Sequence, residues 1–158
     1  MRLPRRWLGL ALATVLALTV VAALAIAGCG STDPPSLTQL RAQGSQICSN
    51  ASRRMERIGT PASEAGGEAF LMRGIGVLGP ELRQLRTLAA PGEAAPVYQS
   101  VLLAFRAELT ALRAAVRGLA RQQNPVIAFK ALQRRLSPLE TQADDAWKTL
   151  QMPVCMGQ

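Results

Sequence analysis

Residues 98–119 read YQSVLLAFRAELTALRAAVRGL, and this stretch decides the fold. Tyr98, Val101, Leu102, Phe105, Leu109, Leu112, Val116 and Leu119 form an apolar stripe along it. Apart from the adjacent Val101-Leu102 they recur at steps of three and four, the signature of a helix with one buried face. Alternation by two, which a half-buried strand requires, is absent from the stretch.

The same spacing extends in both directions. Upstream, Leu71, Ile75, Leu78, Leu82, Leu85 and Leu88 form a second stripe, with Thr60-Pro61 as its expected start. Gly79-Pro80 interrupts that stripe and predicts a kink. Further upstream, Ser36 caps a first helix whose face holds Leu40, Ile47, Ala51, Met55 and Ile58, and Gly59 stops it. Gly44 is an expected break near its start. Downstream, Asn124-Pro125 opens a fourth helix carrying Phe129, Leu132, Leu136, Leu139, Ala143, Trp147 and Leu150. Pro138 predicts a bend in it, and Pro153 ends it. Four amphipathic helices with short connections predict an all-α domain, an up-down-up-down four-helix bundle with kinked helices, over residues 37–158.

The chain before this domain is different in kind. Of its 158 residues the protein has 18 Lys+Arg and 10 Asp+Glu, a formal charge of +8, with 49% hydrophobic residues. Residues 8–27 contain no charge and 17 apolar residues, and Arg2, Arg5 and Arg6 precede them. This is the pattern of an export signal, with its basic end held on the cytoplasmic side. Without residues 1–28 the domain has 15 basic against 10 acidic residues, or +5.

The apolar run ends Ile26-Ala27-Gly28-Cys29. A branched apolar residue and two small ones before a Cys resemble the lipobox of bacterial lipoproteins. That resemblance implies cleavage after residue 28 and a diacylglyceryl group on Cys29. It also implies a place on the extracytoplasmic face of the cell membrane, held by a lipid anchor. The chain looks like a small envelope lipoprotein of a GC-rich Gram-positive type, consistent with 16 Arg against 2 Lys. The competing reading is an uncleaved anchor, since about 20 apolar residues span a bilayer core. Residues 29–36 are the lipidated Cys and a polar, Pro-rich tether. Its seven residues after Cys29 reach at most ~25 Å and keep the domain near the membrane.

Cys48 and Cys155 remain. Two cysteines in an exported domain predict one disulfide. A redox or metal-ligating pair is the alternative, but no CxxC is present and the chain has no His. The levels of the two cysteines do not match along straight helices. Either the hairpins are offset, or the tail 152–155 folds back.

Chemistry is sparse. Without His there are no imidazole metal sites, Ser-His-Asp triads or Glu-x-x-His motifs. Gly74-Ile75-Gly76-Val77-Leu78-Gly79 fits G-x-G-x-x-G but lies inside a helical stripe with no βαβ unit, so it predicts close helix packing and a hinge. Asp144-Asp145 point to different faces, and Glu64 and Glu68 complement a helix N-terminus. No cofactor, no metal and no enzymatic activity are expected. Arg106, Arg113, Arg117 and Arg121 share one flank of the third helix, roughly 80–160° from Phe105. They read either as a solvated face or as a contact for an anionic surface. Arg53, Arg54 and Arg57, and Lys130, Arg134 and Arg135, form smaller groups.

The functional expectation is a non-enzymatic envelope interaction module that binds proteins or anionic envelope polymers, with no role for nucleic acid. The alternative is a helical binder of a small apolar or lipid ligand, lined from Tyr98, Phe105, Phe129, Met55, Met72 and Trp147.

Overall fold

The computed structural model describes residues 36–157, the side chain of Glu64 excepted. The expected signal peptide, Cys29 and the tether up to residue 35 lie outside the described residues. Within them the chain forms four α-helices and no strand: α1 (Leu37–Met55), α2 (Gly67–Leu85), α3 (Ala95–Ala120) and α4 (Pro125–Thr149). Short 3-10 turns at Glu64–Gly66 and Pro153–Cys155 complete it. None of these helices is long and apolar enough to cross a membrane.

The expected starts of α1 and α4 are present. The Ser36 hydroxyl accepts from Gln39 N at 3.1 Å, and the Gln39 side chain accepts from Ser36 N, a full capping box. Asn124 Oδ1 accepts from Ile127 N, with Pro125 in the first turn. Thr60-Pro61 does not start a helix: α2 begins at Gly67. Gly66-Gly67 is a poor helix-forming pair, and Gly67 is needed where it stands. A Cβ there would lie 2.7 Å from two Phe129 ring carbons.

Gly44 does not break α1, which runs through it. Its bare backbone receives Met152, whose Cε sits where a Cβ would be. Pro80 lies inside an unbroken α2 and Pro138 inside an unbroken α4. Pro80 cannot donate to the carbonyl four residues back, Gly76 O. Arg54 Nη2 of α1 reaches that oxygen in a long 3.5 Å contact.

Each helix packs on the next in sequence, and the C-terminal turn packs on both α1 and α4. The main core draws on all four helices and the tail, with Leu40, Cys48, Leu85, Tyr98, Val101, Leu109 and Met152 almost wholly buried. A smaller core of Leu71, Ala111 and Leu132, with Phe70 and Phe129 against it, uses α2, α3 and α4. Tyr98 joins helices as well as filling space. Its hydroxyl donates to Leu85 O at 2.6 Å, at the last residue of α2. Its ring meets Trp147 edge-on with centroids 6.3 Å apart.

Cys48 and Cys155 form the expected disulfide. The level mismatch is resolved by the tail. α4 ends with Gln151 at φ 57, Met152 N donating to Trp147 O and Gln151 N to Lys148 O. This Schellman closure turns the chain back. The tail then runs beside α1: Arg41 Nε donates to Leu150 O at 2.8 Å, Met152 meets Gly44, and Cys155 bonds Cys48.

Candidate functional site: an acidic cavity closed by the disulfide-held tail

Three helices bring four carboxyl groups to one cavity of about 190 Å³. α2 supplies Glu81, α3 supplies Glu108, and α4 supplies Glu140 and Asp144, one turn apart. Phe105, Ala143 and Trp147 form its apolar side. Cys155 and Gly157 wall it from the tail, and Gly157 N donates to Asp144 Oδ1 at 3.0 Å. The disulfide therefore fixes one wall of the cavity as well as the end of the chain.

The acids differ in burial. Glu140 is exposed at the rim, Glu108 and Asp144 are half-buried, and Glu81 is only 3% exposed. Glu81 Oε2 has no hydrogen-bond partner. A buried, unpaired carboxylate is costly, so such a group takes up a proton instead. Burial pushes Glu81 up to about 8, Glu108 pushes the same way, and Arg54 opposes both. Burial pushes Glu108 up to about 7, reinforced by Glu140 and Asp144. Burial also holds the Tyr98 phenol well above its ordinary value. Among the described residues, no group of three acidic or thiol side chains is arranged to hold a metal ion.

No single stretch of sequence carries this site, whose acids lie on three helices. Asp144-Asp145 and Glu64–Glu68 are the acidic pairs that lie close in sequence. Asp144 does face the cavity while Asp145 is exposed, as adjacent helical positions should. Glu81, Glu108 and Glu140 were legible in one respect. Each stands three or four residues from a buried position of its own stripe: Leu78 and Leu85, Phe105, and Ala143.

The expected basic flank is also present. Arg106, Arg113 and Arg117 on α3, and Arg121 just past its end, are all exposed. Arg113 and Arg117 edge a shallow groove with Met72, Ile75 and Val116. The residues expected to line one apolar pocket are dispersed. Phe105 and Trp147 face the acidic cavity, Tyr98 is core, and Phe129 lines a separate groove along α4 with Val126, Leu132 and Leu136. The Gly74–Gly79 stretch is helix interior, and a Cβ at Gly74 would make only ordinary contact with Met55 at 3.8 Å. Comparison with known protein families, with curated proteins and with solved structures finds no match.

Proposed function

We propose that the chain is a bacterial lipoprotein of the cell envelope, a non-enzymatic module that binds anionic envelope polymer. In this reading residues 1–28 are removed on export, and Cys29 carries the lipid. Residues 37–158 form an up-down-up-down bundle, bent at Pro80 and Pro138, on the extracytoplasmic face of the membrane. The observation that carries the binding role is the exposed row Arg106, Arg113, Arg117 and Arg121. These four fall within about 80° of arc and cover ~22 Å along one helix. A linear polyanion meets such a row without rearrangement of the fold. Each basic residue near an anionic surface contributes ~1 kcal/mol, decaying over a Debye length.

The test is co-sedimentation with protein-free cell-wall fragments. Charge reversal at Arg113 and Arg117 should weaken association at least about tenfold, and added salt should weaken the wild type. Unchanged association of the reversed variant refutes the role. Labelled palmitate should enter the wild-type chain and not Cys29→Ser; label retained in the variant refutes the anchor.

The apolar groove of Val126, Phe129, Leu132 and Leu136 supports a second reading, an apolar or lipid ligand. Native mass spectrometry that finds only the bare chain mass counts against it.

A further inference from the structure

We propose that the cavity between α2, α3 and α4 is a binding site for a small primary alkylammonium ligand, its ammonium held by Glu81 and Glu108 and its alkyl part against Phe105 and Trp147. This goes beyond the polyanion role, which uses the opposite charge on a different surface.

Three observations point to this chemistry. Glu81 is buried and faces the cavity with Oε2 unpartnered, so the fold leaves an acceptor there for something to satisfy. The cavity holds four carboxyl groups and no basic side chain lines it. Arg54 acts on Glu81 from α1, but its own guanidinium is exposed and directed to Gly76 O. A positively charged donor is thus what the site lacks. The ligand is organic rather than a bare metal ion, because the acids are not arranged as a metal-holding group and one side of the cavity is aromatic. The apolar side gives an alkyl chain a surface to bury against. The volume, about 190 Å³, admits a short alkyl chain. A primary ammonium has three N–H donors, enough to serve Glu81 and Glu108 together. A quaternary ammonium has none.

Binding must depend on pH. Glu81 is faced by Glu108 and Arg54, and Glu108 by Glu140 and Asp144. Burial biases both central acids toward their neutral forms, Glu81 more than Glu108, and a bound ammonium favours their ionised forms. Affinity should rise with pH until both are ionised, and below about pH 7 it should fall with a slope approaching tenfold per pH unit for each proton displaced.

The experiment uses the full chain purified in mild detergent, with n-butylamine as the probe in isothermal titration calorimetry near pH 8. The expected result is saturable binding with proton release, at least tenfold weaker in Glu81→Gln and unchanged in Glu68→Gln. Tetramethylammonium should not compete. Absence of saturable butylamine binding overturns the proposal, and so does wild-type affinity in Glu81→Gln. Equal binding of tetramethylammonium overturns the donor geometry. Glu81→Gln should still bind wall fragments as the wild type does, so failure here leaves the polyanion role standing and is distinguishable from its failure. Unaltered far-UV circular dichroism of Glu81→Gln shows that a loss of binding is not a loss of fold.

Discussion

Glu81→Gln should also change how stability depends on pH, and the size of the change follows from burial. The folded protein holds Glu81 at about 8, against 4.5 for the exposed group. Between those values the folded state keeps a proton that the unfolded state has lost. Stability is therefore greatest on the acid side and falls as pH rises through this window. The slope is close to a tenfold change in the folding constant per pH unit for one group. Across the full window Glu81 alone accounts for roughly 5 kcal/mol as an upper figure. That is a large share of the ~5–15 kcal/mol typical of a folded domain. Glu108, held at about 7, adds to the fall in the same direction over a shorter range. Glutamine keeps the shape of the protonated acid and does not ionise. The variant should match the wild type near pH 5 and exceed it above pH 8, retaining only the shallower fall due to Glu108. Urea unfolding followed by far-UV circular dichroism at several pH values measures this directly. Wild-type stability that is flat or rises between about pH 5 and 8 would refute the reasoning. So would a variant that keeps the full slope.

Three further outcomes follow from the fold. Serine at Cys48 and Cys155 opens a loop spanning 107 residues. Thermal denaturation should show a loss of up to ~4–5 kcal/mol, and reductant should destabilise the wild type but not the double variant. Gly76→Ala lies at an exposed position inside α2 with nothing near its would-be Cβ, and should stabilise by ~1 kcal/mol; Gly67→Ala, against the Phe129 ring, should destabilise. Gln122 and Gln151 both occupy the left-handed position of a helix C-terminal closure, at φ 61 and φ 57. Replacing either by glycine should raise the melting temperature by a few degrees, through relief of ~1 kcal/mol of backbone strain.

How much was legible depended on the distance over which each feature is encoded. The stripe from Tyr98 to Leu109 reported its own buried face, because helical periodicity needs only neighbours on one element. Ser36 and Asn124 announced helix starts for the same reason. The start of α2 was misplaced because Thr60-Pro61 has the form of a cap, while what sets the boundary is Gly67 against a ring on α4. Gly44 looked like a breaker because the residue that fills its space, Met152, comes from the far end of the chain. The cavity is the extreme case. Its acids come from positions 81, 108, 140 and 144, and nothing local says that those three faces converge.

The Arg54 contact shows why local rules fail in a connected way here. Pro80 removes the donor for Gly76 O, a defect that by itself weakens α2. Placing Arg54 over that carbonyl offsets the defect and brings a positive charge toward Glu81, one residue after the proline. The same guanidinium that supports the helix thus moderates the acid inside it. Without Arg54, burial and Glu108 would push Glu81 still further toward its neutral form. In the sequence Arg54 stands with Arg53 and Arg57 as one basic group. Its position on α1 gives it a partner on α2, and that partner exists only because of Pro80. Proline, arginine and glutamate here make one arrangement across two helices, which holds Glu81 at the cavity in a state that an incoming cation can still ionise.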